Sequence, residues 1–116
     1  MRTQTFGVEI EMAGITRQAA ADVAAEYFGT TSTYLGGGYD KYAATDSSGR
    51  QWCFVSDSSI HVQSKRGKRA QAVEMVTPIL HYEDIETLQE VVRRLRKAGA
   101  MTNDSTGIHI HIGAEK

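Results

Sequence analysis

Near the N-terminus, Phe6, Val8, Ile10 and Met12 alternate with Gly7, Glu9 and Glu11. A period of two belongs to a β-strand with one apolar face, and it sets Glu9 and Glu11 on the opposite face with Cα atoms about 7 Å apart. Two carboxylates on one strand face repel, and glutamate is depleted in strands, so something must offset the cost. A divalent cation held between them would do so; a solvated face of an amphipathic strand is the other reading. A similar pattern recurs late in the chain, where Ile108, Ile110 and Ile112 alternate with His109 and His111. Two imidazoles at i and i+2 on one strand face are a common metal-binding arrangement, and a pair of surface histidines is the plain alternative. Glu74 stands in the middle of the apolar run Ala72-Val73-Glu74-Met75-Val76. A carboxylate facing the interior there is costly unless paired or ligated.

Other groups are more ambiguous. Asp57-Ser58-Ser59 reads as a tight turn in which the carboxylate bonds local amides, or as a group that orients a substrate amine. Lys65, Arg66, Lys68 and Arg69 crowd five residues. They suit either a solvated hairpin tip or a loop that meets a polyphosphate or acidic substrate. Gly36-Gly37-Gly38 matches neither phosphate-loop pattern, because no Lys-Ser pair follows it and it opens no evident helix.

The elements that must position these groups follow from periodicity and punctuation. The strand at Phe6–Met12 ends at Gly14, and Thr16 is a suitable N-cap for an alanine-rich helix over 17–28 that stops at Gly29. Ala20, Val23, Ala24 and Tyr27 form its apolar stripe. Residues 30–38 read as a loop. Tyr39–Thr45 and Gln51–Ser56 form a β-hairpin around Asp46-Ser47-Ser48-Gly49, with Trp52 and Phe54 on one face and Cys53 and Val55 on the other. After the Glu74 strand, Thr77-Pro78 ends the ladder. A second helix spans 83–98, with acidic residues in its first turn, arginines in its last and Gly99 as its stop.

The expected fold class is α+β: an antiparallel or mixed sheet with two helices packed on one face. The other face would carry Glu9, Glu11, Glu74, His109 and Asp57. The 116 residues suit a single domain with one core, and a net charge of −1 gives no global field toward nucleic acid or a membrane surface. One cysteine, Cys53, excludes an intramolecular disulfide framework. With no apolar leader and no apolar run of about 18 residues, a cytosolic location is the expectation.

At this point the chain resembles the amidoligases, carboxylate–amine ligases related to glutamine synthetase and glutamate–cysteine ligase. Phe6-Gly7-Val8-Glu9-Ile10-Glu11, then Trp52 and Asp57-Ser58-Ser59-Ile60, then Val73-Glu74-Met75-Val76-Thr77-Pro78-Ile79-Leu80, and finally Thr106-Gly107-Ile108-His109-Ile110-His111 follow the order of that family's motifs. The resemblance implies a partial glutamine-synthetase-like catalytic sheet. It also implies ATP as co-substrate and Mg²⁺ (or Mn²⁺) held by Glu9, Glu11, Glu74 and His109. His111 would contact nucleotide phosphate, and Asp57 and Ser59 would position substrate or nucleotide. The expected reaction forms an amide through an acyl phosphate, from small-molecule or peptide carboxylate and amine substrates. Phosphoryl transfer of this kind needs positioning and charge neutralisation more than a protein nucleophile.

Two departures stand out. Ser58 replaces the glycine usual after the aspartate. Relatives also continue past the His-x-His strand with phosphate- and substrate-binding residues, so residues 1–116 are expected to be the N-terminal part of a larger catalytic domain. Within this chain, Lys65, Arg66, Lys68 and Arg69 are the local basic reserve. A non-catalytic metal- or ligand-binding module that keeps the fold is the alternative reading, a metal-dependent hydrolase is a third, and a homo-oligomer stays open.

Overall fold

The structure, a computed structural model of the chain, describes residues 4–38, 40–56, 72–102 and 108–112. The alternation at the N-terminus becomes strand β1 (Thr5–Ala13), with Val8, Ile10 and Met12 buried and Glu9 and Glu11 half-buried on the other face. β1 is the centre of the sheet. Glu9 is opposite both Val76 and His109, Met12 opposite both Val73 and Thr102, and Phe6 opposite both Leu80 and Ile112. Hence β5 (Val73–Val76) and β6 (Leu80–His81) run along one edge, and β7 (Met101–Thr102) and β8 (Ile108–Ile112) along the other.

Between β5 and β6 the ladder is carried by Thr77. Its backbone N–H donates to the Val8 carbonyl and its hydroxyl accepts from the Val8 N–H, each at 3.0 Å. Pro78, which has no N–H, is thereby passed over, and the edge resumes at Leu80 instead of ending at Thr77-Pro78.

β2 (Thr33–Gly36), β3 (Lys41–Thr45) and β4 (Gln51–Ser56) extend the sheet in the order β2-β3-β4-β5-β1, every pair antiparallel. The hairpin around Asp46 forms as expected. β2 corrects the expectation of a loop at 30–38: Tyr34 packs on Tyr42 with ring centroids 4.8 Å apart, and its hydroxyl donates to Asp40. A polar, glycine-ended run therefore gains its strand from one cross-strand aromatic pair.

Helix α1 (Arg17–Phe28) is capped by the Thr16 hydroxyl, which accepts from the Ala19 N–H, and ends at Gly29 in the left-handed region. Ala20, Ala21, Ala24 and Ala25 form its buried side, while Val23 and Tyr27 only flank the core. The stripe is rotated from the expected one because alanines allow the helix to lie close on β3 and β4, where Phe28 meets Trp52 at 5.4 Å. A short 3-10 turn at Tyr82–Asp84 leads into α2 (Ile85–Lys97), which buries Val91 and Leu95 and lies beside α1, with Arg94 over the Tyr27 ring. Both helices cover the Val8–Ile10–Met12 face. Among the described residues the fold is α+β, an open antiparallel sheet with two α-helices. Its core includes Trp52, Phe54, Met75 and Leu80, all fully buried, each burial contributing roughly 1.5–3 kcal/mol.

Two connections touch. Gly14 (φ +85°) and Gly99 (φ +116°) meet so closely that a Cβ on Gly14 would lie 2.5 Å from the Gly99 carbonyl oxygen. Gly14→Ala is expected to lose about 2–3 kcal/mol in urea titration, from left-handed strain plus a backbone collision. Gly7→Ala, whose Cβ meets nothing within 4 Å, should stay within about 0.5 kcal/mol.

A buried polar latch ties the β3–β4 turn to the start of α2. The Asp46 carboxylate, 5% exposed, accepts from the N–H groups of Ser48 and Arg50, from Arg50 Nε and from Trp52 Nε1 at 2.9–3.0 Å. Arg50 then grips Asp84 with both terminal nitrogens at 3.0 and 3.1 Å, and Asp84 also accepts from the His81 N–H at 2.8 Å. Burial pushes the Asp46 carboxyl up, but the bonds from Trp52, Arg50 and Ser48 outweigh it and leave it below its usual value. The Arg50 hydrogen bond likewise holds Asp84 down. A carboxylate with a lowered folded pKa stabilises the fold above its unfolded value of about 3.9, and that stability is lost as pH falls through the folded value. Stability should therefore drop steeply below about pH 4, and Arg50→Ala should flatten that slope in urea titrations run across the acid range.

Candidate functional site: a carboxylate face beside two histidines

The sheet face opposite the helices is built by register. Directly opposed residues of antiparallel strands share a face, with Cβ atoms about 4.5–5.5 Å apart. One row crosses the sheet as Thr33, Ala43, Cys53, Val76, Glu9 and the backbone of His109. The next row holds Val55, Glu74 and Glu11, so two carboxylates are directly opposed across β5 and β1. His111 is opposite Gly7, and its Nε2 lies 3.6 Å from Glu9 Oε1 across the diagonal. The His111 and Glu9 side chains are 57% and 38% exposed, so their attraction is screened and stabilises little, while both stay reachable by a ligand.

Three of the expected ligands, Glu9, Glu11 and Glu74, are thus brought to one face, with His111 beside Glu9 and the His109 position paired to Glu9. The sequence singled out Glu9 and Glu11 by alternation and Glu74 by its place inside an apolar run. It did not reveal that β5 and β8 flank β1, which makes them neighbours. Among the described residues, no three His, Cys, Asp or Glu side chains converge closely enough to hold a metal ion. Asp57, Ser59, Lys65, Arg66, Lys68 and Arg69 lie outside the described residues.

A protein-family model described as "putative amidoligase enzyme" matches residues 2–116. The chain belongs to the amidoligase family. Membership gives this amidoligase a ligase-type function in general terms. No curated protein and no solved structure gives a significant match. No helix among the described residues is long and apolar enough to cross a membrane.

By donor type alone, the carboxylates of this face would suit a hard divalent cation better than zinc, although no three described side chains converge on one point. Three carboxylates supply oxygen, which Mg²⁺ and Mn²⁺ prefer, and imidazole is a ligand that Mn²⁺ tolerates. A structural zinc site would call for thiolates, and the one thiol of the face points elsewhere chemically. Burial pushes the Cys53 thiol up, against a smaller opposing pull from Lys41, so it stays protonated at neutral pH and is a poor nucleophile. Sequence reasoning took from Cys53 only a statement about disulfides. Its place two strands from Glu9, across Val76, needed the register.

Proposed function

We propose that this amidoligase joins a carboxylate to an amine at the expense of ATP, through an acyl phosphate. The observation that carries the reading is the shared face of Glu9, Glu11 and Glu74 flanked by the histidine strand. In the reaction a substrate carboxylate oxygen attacks the γ-phosphorus of ATP and ADP leaves. The amine nitrogen then attacks the acyl carbon, inorganic phosphate departs, and the nitrogen gives up its proton as the amide forms.

Glu9, Glu11, Glu74 and His109 would hold Mg²⁺ (or Mn²⁺), which when bound neutralises phosphate charge and orients the γ-phosphoryl group. On this reading His111, half-exposed beside Glu9, would donate toward a phosphate oxygen. A protonated Cys53 competes with neither attack. Asp57 and Ser59, as positioning groups, and Lys65, Arg66, Lys68 and Arg69, as phosphate partners, hold their roles on sequence grounds. The substrates on this reading are small-molecule or peptide carboxylates and amines.

The test is ADP release with Mg-ATP and a panel of carboxylates and amines. Release is expected only when both substrates are present, and it should cease on chelation of the divalent cation. Metal binding by a folded protein with no coupled ADP release across the panel would favour the binding-module reading, and ATP-independent turnover would favour a hydrolase.

A further inference from the structure

The carboxylate face also carries a cation. β3 is an interior strand, paired with β2 on one side and β4 on the other. Tyr42 and Ala44 oppose the core residues Phe54 and Trp52, so Lys41 and Ala43 stand on the other face, with Cys53 and Glu9. Among the described residues, Lys41 is the only lysine or arginine on that face. Arg17, Arg93, Arg94, Arg96 and Lys97 belong to the helices, and Arg50 to the β3–β4 turn.

Register fixes where this cation stands. Tyr42 is opposite Phe54, so the ladder continues with Lys41 in line with Val55; Val55 is opposite Glu74, and Glu74 opposite Glu11. Lys41 and Glu74 thus share a row, two strand spacings or about 10 Å apart between Cα atoms. On the β2 side the row ends at Gly36, which has no side chain to lean on. On the β4 side the lysine stem has half-buried Val55 and Cys53 to lie over, and its charge is felt at the Cys53 thiol, where it opposes the effect of burial. Lysine is depleted in strands, and holding its long stem half-buried costs entropy. The ion pairs of the described residues engage Arg17, Arg50, Arg93, Arg94 and His111, and not Lys41. Between Lys41 and the carboxylates the floor is uncharged, made of Ala43, Cys53, Val55 and Val76.

We infer that Lys41 holds the γ-phosphoryl group of ATP over β4, between the carboxylates and β3. The inference rests on the ATP-dependent reading above and adds to it the residue that receives the transferred group. His111 and Lys41 stand on opposite sides of Glu9, Glu11 and Glu74, because β8 and β5 flank β1 and β3 lies beyond β4. A nucleotide whose inner phosphates lie toward His111 therefore points its terminal phosphate toward Lys41. The ammonium brings three donors and one full positive charge to oxygens that the carboxylates would otherwise repel. As the substrate carboxylate oxygen bonds to the γ-phosphorus, the bond to the β–γ bridging oxygen breaks and ADP leaves with that electron pair. Lys41 gives up no proton. It stays charged and keeps the acyl phosphate in place until the amine attacks.

Calorimetry of the whole protein in Mg²⁺, with β,γ-imido-ATP and ADP as the probes, tests this without turnover. The wild type is expected to bind the imido analogue more tightly than ADP. Lys41→Met, which keeps the apolar stem, should weaken the analogue about tenfold or more and leave ADP within about twofold. A lysine that merely offsets the carboxylates would shift both nucleotides alike or move only the thermal transition, and either result overturns the inference. So does equal affinity of the wild type for the two probes, or a preference for the analogue that survives in Lys41→Met; both leave the ATP-dependent reading standing. A wild type that binds neither nucleotide overturns that reading and the role of Lys41 together. Should Lys41→Met fail to fold, Lys41→Gln carries the same comparison.

Discussion

Replacing Asp46 with alanine is expected to cost about 3–5 kcal/mol of unfolding free energy, a large share of the 5–15 kcal/mol typical of a domain. The carboxylate takes hydrogen bonds from two backbone amides, the Arg50 guanidinium and the Trp52 indole while almost wholly buried. Alanine would leave the indole N–H without its acceptor inside the core and would strip Arg50 of one of its two carboxylates, exposing the asymmetry between making a buried bond and leaving half of one. Asp46→Asn should lose less, since one oxygen still accepts while the amide nitrogen faces donors. Arg50→Ala should fall between alanine and asparagine at this site, because Asp84 keeps the His81 N–H. Urea unfolding followed by Trp52 fluorescence measures all three. Equal, small losses would mean that the latch is decorative and that packing alone holds the turn.

The second large effect concerns binding. The double variant Glu9→Ala, Glu11→Ala should weaken Mn²⁺ or Mg²⁺ affinity by at least about 100-fold in calorimetry, since even groups that merely orient ligands cost 10–100-fold when removed. Coupled ADP release should disappear with it. Glu90→Ala supplies the control: it removes a carboxylate from the helix side, where Glu90 pairs with Arg93 and Arg94, and should leave cation affinity unchanged. The thermal transition of each variant checks that it is folded. Unaltered cation affinity in the double variant would sink the shared-face argument, whatever the family.

How far the chain could be read in advance varies with how local each signal is. β1, α1, the β3–β4 hairpin, β5, α2 and β8 announce themselves because their apolar residues repeat with the period of the element. β6 and β7, two residues each, exist only because β1 offers them an edge, and no pattern that short is legible. Asp46 reads locally as a turn residue, which it is. Its second role needs Asp84, 34 residues beyond Arg50, and nothing in either neighbourhood announces the partner. At β8, alternation set the isoleucines and His111 on opposite faces, as the register has them, but carried no information on how far the isoleucine face is covered. α2 shields Val8 and Ile10 of β1 and leaves the outer strand open. At the site, types and faces were legible and adjacency was not, because strand order is decided by long-range pairing.

The position of β1 at the sheet's centre has a consequence for biosynthesis. The strand bearing Glu9 and Glu11 leaves the ribosome well before every strand that pairs with it among the described residues, since those come from residues 73–112. While the nascent chain grows, α1 and the β2–β4 meander can associate, but β1 must wait with both edges unpaired and Val8, Ile10 and Met12 without their sheet. The carboxylates spaced between those apolar residues therefore serve before any ligand arrives: they keep a two-sided orphan strand charged, soluble and slow to pair with its neighbours on the polysome.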